Sequence, residues 1–159
     1  MIRPATASDV DAIWAIIEPV LRSGETYALP RDWSRGEALG YWLGPDREVF
    51  VADLGGDILG TYYLHPNQLG GGAHVANCGY MVAAGATGRG VARAMCRHSL
   101  ELAGSRGFRA MQFNFVVATN ERAVVLWKSF GFAVVGVLPE AFAHPHLGYV
   151  DALIMYRRL

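Results

Sequence analysis

The sequence predicts an α+β fold in three layers (α/β/α). It would hold a twisted, mixed, mostly antiparallel sheet of about six to seven strands, flanked by about four helices. Three observations predict it. Short apolar runs recur in pairs around glycine, as hairpin strands do. Segments with apolar residues at helical spacing stand between them. Strands mostly in hairpins with helices inserted give one sheet covered on both faces.

In chain order, Ile2-Arg3-Pro4-Ala5-Thr6 is short enough for an edge strand with Pro4 near its end. Ser8, with Asp11 three residues on, reads as a capping box. Val10, Ile13, Trp14, Ile17 and Leu21 then repeat at helical spacing, and Pro19 should kink or end that helix. Residues 23–31 (SGETYALPR) read as a loop. Asp32 or Ser34 caps a second, short helix through Leu43. Residues 48–53 and 58–65 form a hairpin around Gly55-Gly56, followed by a glycine-rich loop at 66–72. Residues 74–82 are the next strand. A third helix carries Val91, Met95, His98 and Leu102 on one face and ends near Gly104 to Gly107. Residues 110–117 are a strand, 120–130 a helix with Gly131 as its C-cap, and 133–138 and 150–157 finish the sheet. No linker, repeat or low-complexity segment divides the chain, which reads as a single domain, 1–159.

The third helix is preceded by a strand that breaks into Gly85-Ala86-Thr87-Gly88-Arg89-Gly90. Strand, glycine turn and helix start gather unpaired N–H groups beside the positive end of a helix dipole, a ready site for phosphate. A side chain at Gly88 or Gly90 would hold a ligand off that backbone. The dinucleotide fingerprint fails, because its third glycine and its downstream carboxylate are missing. The P-loop fails too, because no Gly-Lys-Ser/Thr occurs.

The segment Thr87-Gly88-Arg89-Gly90-Val91-Ala92 resembles the R/Q-G-x-G-x-A/G element of the GNAT superfamily of acyl-CoA N-acyltransferases, with Thr87 where Arg or Gln is usual. Downstream, Asn120, Ala123, Leu126, Trp127, Gly131 and Phe132 resemble the family's N-x-x-A-x-x-L-Y-x-x-x-G-F. The resemblance implies that the fourth and fifth strands run parallel and splay apart at the sheet's centre. It implies acetyl-CoA as acyl donor, its pantetheine arm paired with Met81, Val82 and Ala83 and its pyrophosphate on the N–H groups from Thr87 to Ala92. Arg89 and Arg93 suit the CoA phosphates, since phosphate favours arginine geometry. Asn120 resembles the family's cofactor-contacting asparagine and is also a good N-cap. The implied reaction is direct acyl transfer to an amine, with a backbone N–H, that of Val82, facing the oxyanion. Trp127 fills the slot where the family commonly has a tyrosine acid; an indole cannot deliver a proton, so it reads as a wall beside the thioester.

The base is left open. His74, at the start of the strand leading to the cofactor turn, and Glu25, in the loop where this family shapes its acceptor pocket, are rivals. Tyr27, Tyr149 and Asp151 are further pocket candidates. His144-Pro145-His146 lacks a third ligand at useful spacing, so no metal is expected. Cys78 and Cys96 read as small buried hydrophobes and make no disulfide framework. With a formal net charge of zero, nothing marks nucleic acid or an anionic membrane as a bulk partner. The N-terminus has no apolar signal core and no run nears the ~20 apolar residues of a membrane span, which points to a cytoplasmic enzyme. Tyr27, Trp33 and Tyr149, with the neutral charge, favour a small-molecule amine acceptor, a metabolite or amino-acid-like compound. A protein N-terminus or lysine is the alternative within enzymes, and a non-catalytic CoA-binding sensor the alternative outside them. The oligomeric state, a homodimer included, is left open.

Overall fold

Alternating side chains build one sheet with a different core on each face. The structure, a computed structural model, describes residues 1–159. Its strands are β1 (Ile2–Pro4), β2 (Glu48–Leu54), β3 (Asp57–Pro66), β4 (Val75–Val82), β5 (Ala110–Val117), β6 (Ala133–His144) and β7 (Gly148–Arg158). Its helices are α1 (Val10–Ser23), α2 (Arg35–Trp42), α3 (Val91–Ser105) and α4 (Glu121–Ser129). The strands lie in the order β1-β2-β3-β4-β5-β7-β6. Successive residues point to opposite faces. On β2 and β3, Phe50, Tyr62 and Leu64 therefore join Met95, Leu100, Phe113 and Trp127 in the α3–α4 core. Val51 and Tyr63 instead join Ile13, Ile17, Leu21 and Trp42 beneath α1 and α2. Trp42 reaches across to donate to the Thr61 hydroxyl at 3.1 Å, so its one polar group is paired where it is buried. Ile17 is 1% exposed; truncating it to Ala should cost about 2–5 kcal/mol.

All neighbouring strands are antiparallel except β4 and β5. These two pair in parallel only at Val75–Ala110 and Ala76–Met111, then diverge. Asn77 stands at the vertex: its amide donates to the Gln112 carbonyl of β5 at 2.9 Å, and its oxygen lies 3.1 Å from His65 Nε2.

Several sequence boundaries move. The N-terminal strand stops at Pro4, and a 3₁₀ turn, Ala7–Asp9, precedes α1. The cap is therefore built two residues earlier than expected. Asp9, rather than Asp11, accepts from the Thr6 N–H (2.7 Å) and hydroxyl (2.9 Å) and from both terminal nitrogens of Arg3. Pro19 does not end α1, which runs on to Ser23 and closes at Gly24, where φ is +64°. Ser34, not Asp32, caps α2 through a reciprocal box with Glu37. The loop at 66–72 contains a 3₁₀ turn, Gly70–Gly72.

β6 does not stop at Leu138 but passes Pro139 to His144, making a long hairpin with β7. A proline is tolerated there because β6 is the outer strand and needs no donor on its free side. The register slips between Leu138 and Phe142, where Glu140 takes φ +51° and donates its N–H to Asp151 Oδ1 at 2.9 Å.

Candidate active site

Divergence of β4 from β5 leaves a cleft of about 1100 Å³ through the centre of the sheet. The α3–α4 side of its wall holds the glycine turn, Asn120 and Trp127; the α1–α2 side holds Glu25, Tyr27, Tyr41 and Tyr63.

At the glycine turn, Gly88 (φ +81°) and Gly90 (φ +79°) adopt the left-handed backbone that glycine takes without strain. A Cβ at either would meet no protein atom within 4 Å, so the space is open to a ligand. The amides of Gly88, Gly90, Val91, Ala92 and Arg93 have no backbone acceptor. They converge at the N-terminus of a helix of 15 residues, the geometry that receives phosphate. The expected run of donors is corrected at two points. Arg89 N–H is already bonded to Ala86 O at 3.2 Å, and Thr87 N–H points to Ala84 O at 3.5 Å, though Thr87 lines the cleft. Arg89 is not among the residues lining the cleft; it borders a separate cavity of about 260 Å³ with Met1, Asp53 and Leu59. Arg93 does line the cleft, its guanidinium 5.5 Å from the Phe130 ring. So does Arg122, in the first turn of α4, which the sequence reading passed over.

Along β4 the backbone alternates in direction. Ala83 N–H donates to Leu59 O on β3 at 2.9 Å. The same alternation turns the polar groups of Met81 towards β3 and those of Tyr80 and Val82 towards the cleft. Of the three expected pairing residues, then, only Val82 offers its backbone. The Met81 side chain is buried in the α1–α2 core, and Ala83 does not line the cleft. Tyr80 is already paired. Its N–H donates to the Tyr27 hydroxyl, and that hydroxyl donates to its carbonyl, both at 2.8 Å.

The catalytic candidates separate cleanly. His74 lies at the joined end of β4, its carbonyl accepting from Arg109 N–H at 2.9 Å. Eight residues of strand, about 26 Å, separate it from Val82, and it does not line the cleft. The sequence could not say how far along β4 the pairing with β5 would last. Tyr149 is 74% exposed, paired with Ala143 on the outer hairpin, and is also absent from the wall. Asp151 holds Glu140 and accepts from Ala118 N–H at 2.9 Å. Glu25 remains: it is the sole carboxylate, and no imidazole accompanies it, among the lining residues. Its Oε1 lies 3.6 Å from His146 Nε2, at the tip of the β6–β7 hairpin.

Asn120 caps α4, its oxygen accepting from Ala123 N–H at 3.4 Å, and faces the cleft. The Trp127 ring packs 5.0 Å from those of both Tyr80 and Phe113. Burial pushes the Cys78 thiol up to about 12, and Cys96 likewise to about 12, so neither is a thiolate nucleophile near neutrality. His98 Nδ1 is bonded to the Tyr62 hydroxyl at 2.6 Å in the α3 core. His144 Nδ1 accepts the N–H groups of His146 and Leu147 and so serves its turn. No three His, Cys, Asp or Glu side chains are grouped to hold a metal ion.

Two splayed parallel strands leave a cleft across the sheet, with bare helix-terminal amides suited to phosphate at one mouth and an aromatic chamber at the other. Residues 10–132 match the model of the acetyltransferase (GNAT) family, and the chain belongs to that family. It is thus an acetyltransferase, with acetyl-CoA as its donor. It is 28% identical over 151 residues to the N-acetyltransferase aca1 of Schizosaccharomyces pombe, covering 84% of this chain and 72% of that one. A GCN5-related N-acetyltransferase from Kribbella flavida has 45% identity and a TM-score of 0.95, covering 100% of this chain and 97% of that one. The phosphinothricin acetyltransferase of Sinorhizobium meliloti, solved with acetyl-CoA, shares the fold at 20% identity and a TM-score of 0.87, covering 100% and 88% of the two chains.

Proposed function

We propose that this enzyme moves the acetyl group of acetyl-CoA directly to the amine of a small metabolite or amino-acid-like acceptor, both substrates being bound together. The observation that carries this reading is the cluster of tyrosines, Tyr27, Tyr41 and Tyr63, on the α1–α2 side of the cleft. The segment after α1 is tied down onto β4 by the paired hydrogen bonds of Tyr27, with Tyr41 and Tyr63 beside it. A short acceptor fits such a chamber better than a polypeptide, which needs an open groove.

The amides of Gly88, Gly90, Val91, Ala92 and Arg93, with Thr87 beside them, suit the pyrophosphate. Arg93 and Arg122 supply positive charge, and Asn120 and Trp127 line the path of the arm. Bound acetyl-CoA supplies an activated acyl carbon with a thiolate leaving group. This chain's residues do the rest. Val82 N–H faces the cleft and is placed to meet charge developing on the carbonyl oxygen, a donor fixed before reaction begins. Glu25 is the group that takes the ammonium proton, through water, since an amine of pKa near ~10 arrives charged. Trp127 packs as a wall, and no side chain is assigned as acid. The remaining contribution is placement of the two substrates. The whole chain, 1–159, is read as one catalytic domain working in the cytoplasm, and its two cysteines are both free and buried. No helix is long and apolar enough to cross a membrane.

Thiol release from acetyl-CoA, followed over a panel of small amines, amino acids and short peptides, tests the reading. Small acceptors should turn over faster than peptides with the same terminal residue. Preference for peptides would replace the small-acceptor reading, and CoA binding without transfer to anything would make the chain a sensor.

A further inference from the structure

His144-Pro145-His146 stands at the tip of the β6–β7 hairpin, and its two histidines have different surroundings. His144 builds the tip: its Nδ1 accepts the N–H groups of His146 at 3.1 Å and of Leu147 at 3.2 Å. Its ring also ends a ladder of aromatic contacts that starts in the cleft wall. Phe115 of β5 lines the cleft and meets Phe142 at 6.2 Å, and Phe142 meets His144 at 6.4 Å. The hairpin tip is therefore tied to the β5 side of the splay.

From there His146 reaches the other side. Its Nε2 lies 3.6 Å from Oε1 of Glu25. Glu25 belongs to the segment that Tyr27 fastens to β4 through the Tyr80 backbone. The contact thus spans the gap between β4 and β5 and joins the two lips of the cleft. Glu25 donates its backbone N–H to Ser23 Oγ at 3.4 Å, but its carboxylate meets no polar group other than His146. At that distance the pair is in ion-pair range and slightly beyond a direct hydrogen bond. Protonated, the ring attracts the carboxylate; neutral, it still offers an N–H, through one water where the gap requires it. The two side chains are 72% and 47% exposed, so the contact adds little to stability. What it supplies is orientation, since a carboxylate on a loop otherwise samples many rotamers.

We propose that His146 is a positioning residue for acetyl transfer: from the opposite lip it holds the Glu25 carboxylate at the cleft, where that group takes the acceptor's proton. This rests on the reading of Glu25 as base given above and deepens it. His146 does not itself line the cleft and acts only through Glu25. A histidine that merely fastens the hairpin predicts something different. Its loss would lower the melting temperature and raise KM for both substrates, whether or not Glu25 is present.

The experiment is a double-mutant cycle on Glu25→Gln and His146→Ala, read in kcat, in KM for each substrate and in thermal melts. Misplacing a reacting group costs up to about a hundredfold, and a single exposed contact is a weak restraint. His146→Ala should therefore lower kcat about three- to tenfold, with KM for acetyl-CoA within about twofold of wild type and the melting temperature unchanged. In Glu25→Gln, which has no base to place, the same substitution should change kcat by less than about twofold. His146→Gln, which keeps a donor at similar reach, should recover most of the rate. Full activity in His146→Ala, a loss undiminished in the Glu25→Gln background, or a loss matched by a fall in melting temperature overturns the proposal. A deep Glu25→Gln defect beside any of these leaves Glu25 standing as the base. Glu25→Gln at the wild-type rate is a separate result: it removes the base reading, and the positioning role with it.

Discussion

The hydroxyl of Tyr27 takes both polar groups of the Tyr80 backbone, accepting its N–H and donating to its carbonyl at 2.8 Å each. The phenol stands where a fifth strand would have paired had β5 not turned away. It leaves Val82 as the station on β4 still open to a ligand, and it pins the segment after α1 over the chamber. Removal of the hydroxyl in Tyr27→Phe would orphan two buried groups. A loss of about 1–3 kcal/mol in urea unfolding is expected. The KM for the acceptor should rise several-fold and that for acetyl-CoA much less. Equal increases in both would mean that Tyr27 holds the cleft as a whole and not its acceptor side.

Gly90 has φ +79° and open space around its missing Cβ, but so does Gly107, at φ +84°, beyond the end of α3 and off the cleft. Alanine at either pays a similar backbone strain of about 1–2 kcal/mol. At Gly90 alone the added carbon also stands in the way of the phosphates. Gly90→Ala should therefore weaken CoA binding at least tenfold, while Gly107→Ala lowers the melting temperature to a similar degree and leaves CoA affinity unchanged. Calorimetry on the pair decides it; parallel losses would mean that backbone strain, and not contact, explains the effect.

How far all this could be read from the residues depends on the range of the signal. The glycine turn, Asn120 and Trp127 were legible because each motif is local and its spacing fixes its geometry. So were most strands, since Phe50, Val51 and Ala52 already alternate between the two cores. The latch between Tyr27 and Tyr80 was not, because it spans 53 positions and needs the splay to exist first. His74 falls away from the cleft because β4 and β5 stay paired beside it, at Val75 and Ala76, and the sequence does not show where they part. Arg89 and Arg93 look alike in sequence, yet only Arg93 lines the cleft. The strand expected at 133–138 runs on past Pro139 because it proves to be the outermost, which the sequence does not say.

Asp9 gives the fold a pH dependence of known sign. Both Arg3 contacts (2.8 Å each) and the two from Thr6 hold its carboxyl well below the usual carboxylate range. A group depressed in the folded state contributes its full stability above the unfolded value of about 4, and loses it as pH falls through and below that value. Asp9→Asn should melt well below wild type at pH 7, with the gap shrinking towards pH 3. Thermal melts from pH 3 to 7 would show this; a gap constant across that range would make it a packing effect.

Trp127 raises the question of how the thiolate leaves without an acid in the usual slot. Its ring is buried between Tyr80 and Phe113, and the indole N–H, though a hydrogen-bond donor, is far too weak an acid to protonate a leaving thiolate. The neighbouring phenol does not replace it. Ser99 donates its own proton to the Cys96 carbonyl at 2.8 Å, so at 2.7 Å it accepts the one from Tyr80. Burial also pushes the Tyr80 phenol far above its usual range. A thiol of pKa near ~8.5 forms a thiolate stable enough to leave unprotonated. Since a true general acid contributes about 10²–10⁴-fold, its removal would be conspicuous. Trp127→Phe keeps an aromatic wall and should change kcat by less than about tenfold. Trp127→Tyr should stay active, and any gain in rate should fall away as pH rises towards about 10, where the new phenol ionises. The measurement is kcat against pH for both variants with a responsive amine. A loss beyond about a hundredfold in Trp127→Phe, with CoA affinity intact, would give the indole a part in the chemistry and end the acid-free account.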